Sequence, residues 1–166
     1  MKSVLLLAQS GGPTPVINAS LAGAIRAAQR SGRFSAIYGL VHGIEGALHE
    51  NLIDLTHEAD LDALAQTPAA ALASSRYKLG DDDYERVLAV FRAHDVRHFA
   101  YIGGNGTMYV CNRLAEISRA AGHDLNVIGI PKTVDNDLFG TDHAPGYGSA
   151  ARFMALVTRD AGRDLE

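Results

Sequence analysis

Tryptophan is absent from the 166 residues, and cysteine occurs once, as Cys111. A single thiol cannot close an intrachain disulfide, so a hydrophobic core must hold the fold, and a cytoplasmic setting is the simplest expectation. An excess of positive charge is also missing: 15 Lys and Arg stand against 19 Asp and Glu, a net charge of −4. Nucleic acid is thereby excluded as the main partner, because a phosphate backbone demands a clustered basic surface. Long apolar runs are missing as well. Val4–Ala8 is too short for a membrane span or a signal peptide and reads as a buried strand, so no membrane partner is expected. The seven histidines show no metal-ligand spacing. His42, His49 and His57 fall in loops or near turns, where solvation is expected. There is no internal repeat and no low-complexity linker.

What is there fits one soluble globular domain: 47 % hydrophobic and 20 % charged residues, in a length that can bury a substantial core. Val4–Ala8, Ala36–Val41, Val96–Ile102 and Asn126–Ile130 read as core strands. Asn18–Arg30, Glu58–Ala65, Asp81–His94, Tyr109–Ala121 and Ser149–Ala161 read as helices. His42–Asn51 reads as loops with a short turn, and Thr67–Ser75 as irregular and partly buried. Strands that alternate with helices predict an α/β fold: an open, mostly parallel, Rossmann-like sheet with helices on both faces. The aspartates of Asp81-Asp82-Asp83 suit the positive end of a helix dipole. Cys111 on a helix face reads as a buried, inert thiol.

Three strand ends break into polar, glycine-bearing loops: Gly11-Gly12, Gly103–Thr107 and Pro131–Asp137. In a parallel sheet the strand C-termini share one edge, so the three loops are expected to converge on one crevice. A glycine pair alone would be only a tight turn. In Gly103-Gly104-Asn105-Gly106-Thr107 the glycines let backbone approach an anion, and a helix N-terminus offers free N–H groups; Asn105 or Thr107 could equally be a plain N-cap. Pro131-Lys132-Thr133-Val134-Asp135-Asn136-Asp137 is the densest polar cluster. Two carboxylates on an extended loop can divide proton acceptance and Mg²⁺ binding, and Lys132 suits phosphate oxygens. Standing alone, the loop would read as a solvated turn rich in Asx residues.

Gln9-Ser-Gly-Gly-Pro-Thr-Pro-Val-Ile-Asn18, Leu72-Ala-Ser-Ser-Arg-Tyr-Lys-Leu79, Gly103-Gly-Asn-Gly-Thr107, Pro131-Lys-Thr-Val-Asp-Asn-Asp137 and Thr141-Asp-His-Ala-Pro-Gly-Tyr-Gly-Ser149 follow one another along the chain. In that order they resemble the phosphofructokinases, which phosphorylate the 1-hydroxyl of fructose 6-phosphate in glycolysis. The resemblance runs from Val4 to Phe153. It implies donor contacts at Gly12, Gly104, Asn105, Gly106 and Thr107, and sugar-phosphate contacts at Thr133, Val134 and Asp135. Arg76 and Lys132 would lie on the transferring phosphates, Asp135 would be the general base, and Asn105 with Asp137 would hold Mg²⁺. Asn105 stands where ATP-using members carry aspartate. Lys132, Asn105 and the Gln-Ser-Gly-Gly-Pro-Thr opening favour the pyrophosphate branch; Gly106, where pyrophosphate users carry aspartate, favours ATP. The balance leans to pyrophosphate.

Family members are considerably longer, and their second half supplies further sugar-phosphate groups. Residues 1–166 are therefore expected to be an incomplete N-terminal, donor-binding domain, inactive by itself, of a protein that is a homo-oligomer at full length. A ligand-binding relative without turnover is the competing reading, supported by Asn105 and opposed by the retention of Asp135 and Asp137. Lipid and nicotinamide-nucleotide kinases share Gly-Gly-Asp-Gly loops but lack the Pro131–Asp137 segment.

Overall fold

The computed structural model describes residues 3–165. Its elements are β1 (Ser3–Gln9), α1 (Val16–Ser31), β2 (Phe34–Leu40), α2 (Glu45–Leu48), β3 (Leu52–Asp54), α3 (Leu61–Gln66), α4 (Asp81–Ala93), β4 (Val96–Gly103), α5 (Asn105–Ala120), β5 (Asn126–Pro131) and α6 (Tyr147–Asp164). The strands form one sheet in the order β3-β2-β1-β4-β5. β1 pairs in parallel with β2 and β4, and β4 pairs in parallel with β5. Only β3, hydrogen-bonded to β2, runs antiparallel. The chain moves from β1 to β2 on one side and reaches β4 on the other, so the reversal of strand order lies between β1 and β4, where open α/β sheets receive ligands.

Side chains of β1 alternate between two cores. Val4, Leu6 and Ala8 join Phe91, Phe99, Tyr101 and Leu114 beneath α2, α4 and α5. Leu5 and Leu7 join Ile17, Leu21, Ile25 and Ile102 beneath α1 and α3. This period of two explains why β1 is apolar throughout: both faces are covered. Burying each large aliphatic side chain of α1 contributes about 1.5–3 kcal/mol. Edge-on contacts tighten the first core, with Phe91 and Phe99 centroids 5.1 Å apart.

Several local expectations need correction. β3 was not expected; it is three residues long and its Ile53 and Asp54 are exposed, so it carries no burial pattern. β5, expected as a core strand, is an edge strand of the described sheet with no buried residue. α5 begins at Asn105 rather than Tyr109, with extended Gly104 as its N-cap and no side-chain cap, so neither Asn105 nor Thr107 plays that part. Thr107 instead packs under the preceding strand end: a Cβ on Gly103 would collide with its Oγ1. α3 starts at Leu61, after Asp60 accepts a bond from the Ala63 N–H at 3.2 Å. His42–Asn51 holds the four-residue α2. Thr67–Ser75 is irregular and partly buried, as expected, with Leu72 1 % exposed.

Candidate functional site

Parallel pairing brings the ends of β1, β4 and β5 to one edge, and Lys132 joins all three. Its backbone N–H donates to the Gly103 carbonyl at 2.9 Å. Its Nζ donates to the Gly12 carbonyl at 2.7 Å. Gly11 has φ +75°, which favours glycine, and a Cβ there would lie 2.9 Å from Nζ, so a side chain at this position would also push the amine aside. Lys132 is 2 % exposed. Burial pulls its pKa below the ordinary lysine value, and the negative charge of Asp135 opposes that fall.

The loop after β5 hangs from Thr133. Its Oγ1 donates to Asp137 Oδ1 at 3.0 Å and accepts from the Asp135 N–H at 3.1 Å. Asn136 takes φ +53°, a conformation an Asx residue tolerates. Its Nδ2 donates to the Asp142 carbonyl at 3.1 Å and its Oδ1 accepts from the Ala144 N–H at 2.8 Å, which stitches the loop to the segment before α6. Val134, Asp135 and Asp137 are left exposed above buried Lys132 and Thr133. Across from them, Asn105 Nδ2 donates to Asp137 Oδ2 at 2.7 Å. Asn105, expected on one loop, and Asp137, expected on another, therefore meet.

Arg76 approaches from a different part of the chain. The Ser74 hydroxyl donates to the Gly11 carbonyl at 3.1 Å. The Ser75 hydroxyl bonds the Glu45 carboxylate of α2. Arg76 then lines a cleft of ≈ 500 Å³ together with Gly11, Gly104, Gly106 and Thr107. A Cβ on Gly106 would meet nothing within 4 Å, so the mouth of α5 is open. The lining also includes Tyr77, Tyr84, Tyr101 and Tyr109, none of which was expected as a site residue. Only Tyr101 carried a signal, since it ends a core strand just before a glycine loop. Its hydroxyl accepts from the Ile44 N–H at 3.1 Å, and burial raises its pKa. Lys132, Thr133, Asp135 and Asp137 lie outside this lining. Gly12 and Asn105, expected as donor contacts and bonded by Lys132 and Asp137, also lie outside it, next in the chain to its lining residues Gly11, Gly104 and Gly106.

Among the described residues no group of three or more His, Cys, Asp or Glu side chains could hold a metal ion. The carboxylates of Asp135 and Asp137 and the amide of Asn105 are hard donors, the class Mg²⁺ takes when substrate phosphates and water complete its shell. His143 stacks edge-on against Tyr147 at 5.2 Å, beside the loop rather than in the cleft. The Cys111 thiol is pushed up to about 12 by burial, as fits an inert core cysteine.

A family model described as "Phosphofructokinase" matches residues 4–162. The chain belongs to the phosphofructokinase family. It is 47 % identical over 166 residues to a pyrophosphate–fructose 6-phosphate 1-phosphotransferase of Halomonas elongata, covering 95 % of this chain and 40 % of that protein. It is 48 % identical over 168 residues to the protein of that name from Xanthomonas campestris pv. campestris, covering 97 % and 40 %. A more distant relative is an ATP-dependent 6-phosphofructokinase of Photobacterium profundum, 32 % identical over 85 % of this chain and 42 % of that protein. The crystal structure of a pyrophosphate-dependent phosphofructokinase from Marinobacter aquaeolei superposes with a TM-score of 0.90 at 42 % identity, over 99 % of this chain and 42 % of that one. The chain thus spans about 40 % of the length of the first two relatives. Among the described residues no helix is long and apolar enough to cross a membrane.

Proposed function

We propose that the full-length protein transfers a phosphoryl group from pyrophosphate to the 1-hydroxyl of fructose 6-phosphate, and that residues 1–166 form its donor-binding domain. The reading rests on one observation above the others: the Nζ of buried Lys132 donates to the Gly12 carbonyl while its backbone N–H donates to the Gly103 carbonyl, so one residue joins three loops at the sheet edge. The donor then lies along Gly12 and Gly104–Thr107, with Lys132 and Arg76 as its cations. Thr133, Val134 and Asp135 face the sugar phosphate, whose remaining contacts come from the rest of the protein. Asp135 accepts the proton of the attacking hydroxyl, held there by its N–H bond to Thr133. Asn105 and Asp137 would hold Mg²⁺, which neutralises phosphate charge when bound. Rate enhancement comes from positioning and charge stabilisation, since phosphoryl transfer asks little covalent chemistry of the protein. A cytoplasmic, glycolytic homo-oligomer completes the proposal.

The test is a coupled assay of the full-length protein with pyrophosphate and ATP side by side. Asp135→Asn is expected to lower kcat by about 10²- to 10⁴-fold with donor binding little changed. Retained turnover would remove Asp135 from the mechanism.

ATP as donor is the second reading, favoured by the open space at Gly106 and the tyrosine-walled cleft of ≈ 500 Å³ beside it. Gly106→Asp would set a carboxylate where a third phosphate would lie. Like charges about 4 Å apart repel by roughly 4 kcal/mol at an effective dielectric near 20. The variant should raise the ratio of pyrophosphate to ATP kcat/KM, and an unchanged ratio would show that no α-phosphate lies beside Gly106.

A further inference from the structure

Thr67–Arg76 carries Arg76 to the cleft without forming helix or strand. Two of its alanines sit in the left-handed region, Ala69 at φ +65° and Ala73 at φ +56°. Such backbone is unfavourable for a non-glycine residue and persists only where its surroundings over-determine it.

The surroundings are two amide side chains, Gln9 and Asn18, each 0 % exposed. Gln9 Oε1 accepts from the Leu72 N–H at 2.8 Å. Its Nε2 donates to Asn18 Oδ1 at 2.9 Å and to the Ile17 carbonyl at 3.1 Å. Asn18 Oδ1 also accepts from the Ala71 N–H at 2.9 Å, and Asn18 Nδ2 donates to the Thr67 carbonyl at 2.9 Å. Three of these five bonds end on the backbone of the irregular segment. Gln9 is the last residue of β1, directly before the Ser10-Gly11-Gly12 loop, and Ser74 donates to that same loop at the Gly11 carbonyl. Aliphatic side chains at both positions would carry no polar group of their own into the core. They would also leave the Leu72 and Ala71 N–H groups unpaired, and they would let the segment slide, because apolar contact has no direction. A satisfied buried network holds one register.

We propose that Gln9 and Asn18 are positioning residues: their amide pair sets where Arg76 stands relative to the Gly11–Gly12 loop, and through it the efficiency of donor use. The proposal rests on the phosphotransferase reading. It adds a control point that touches neither donor nor acceptor.

The experiment is a double-mutant cycle in the full-length enzyme with Gln9→Met, which keeps the side-chain length and removes the amide, and Arg76→Ala. Gln9→Met alone is expected to lower kcat/KM for pyrophosphate by about 10- to 100-fold, the scale of a misplaced catalytic group, with KM for fructose 6-phosphate unmoved. In the Arg76→Ala background the same change should cost less than about two-fold, because the group it positions is gone. Full additivity would overturn the proposal and leave Gln9 a packing residue. Should Gln9→Met fail to fold, backbone amide exchange in the wild type decides. Ala71 and Leu72 protected as well as the amides of β1 support the anchor, and exchange at the rate of an open loop overturns it. A wild-type enzyme that moves no phosphoryl group from either donor would sink the phosphotransferase reading instead, and the anchor would then be judged on amide exchange alone.

Discussion

α1 and α6 are amphipathic helices of 16 and 18 residues, and their fates differ completely. α1 buries Ile17, Asn18, Leu21, Ala22, Ile25 and Ala28 against the sheet. α6 buries nothing: Phe153 is 61 % and Met154 58 % exposed, and Leu156 and Val157 are exposed beside them. An apolar stripe says that a helix needs a partner. It does not say where the partner is. For α1 the partner is the neighbouring strand pair, met within a few residues of chain. For α6 the described residues supply only a partial one: Gly148–Ala150 are half-buried, and residues 151–164 are exposed.

The largest test of this contrast is amide exchange along the 166-residue chain. Amides in the middle of α1 should need global unfolding, roughly 5–15 kcal/mol for a typical domain, whereas α6 amides should open at nearly no cost. Equal protection in the two helices would show that α6 has found a packing surface. Side-chain truncation makes the same point at single residues. Ile25→Ala is expected to destabilise the chain by about 2–5 kcal/mol in urea unfolding. Val157→Ala should stay within about 0.5 kcal/mol, the range of surface substitutions.

Charge sharpens the comparison further. Lys132 lies on the buried side and its folded-state pKa is depressed, below the ordinary 10.5. Below the folded value the amine is charged in both states, and burial of that charge weighs against folding. Between the folded value and 10.5 the unfolded chain binds more protons, so stability rises with pH across that window. Lys132→Met should remove the rise, seen as a flatter dependence of Tm on pH than in the wild type. A matching slope in both proteins would contradict the assignment. The smallest effect belongs to α6, where Arg159 and Asp160 pair at 2.8 Å with side chains 53 % and 62 % exposed. Arg159→Ala should leave Tm unchanged within error, because solvent screens such pairs.

What could be read before folding was of one kind. β1, β2 and β4 announce themselves as apolar runs closed by turn residues, because each sits beneath helices and needs little but hydrophobicity. The loops at Gly11-Gly12, Gly103–Thr107 and Pro131–Asp137 were legible as breaks, and a parallel sheet guarantees that such breaks share an edge. β3 was illegible, since three edge residues with Ile53 and Asp54 exposed leave no pattern. The start of α5 was hidden by Gly106, a poor helix former, where the turn is held by Thr107 packing under Gly103.

The site divides along the same line. Order along the chain determined the composition of the loops, the alternation of strand and helix, and the family. Tertiary structure alone decided that Asn105 bonds Asp137, that Lys132 Nζ rests on the Gly12 carbonyl, and that Gln9 and Asn18 hold the segment leading to Arg76. These contacts join residues 32, 120, 63 and 53 positions apart. Hydrophobic periodicity is a local property and survives in any stretch of sequence; a directional bond between distant polar atoms exists only after folding has brought donor and acceptor within reach.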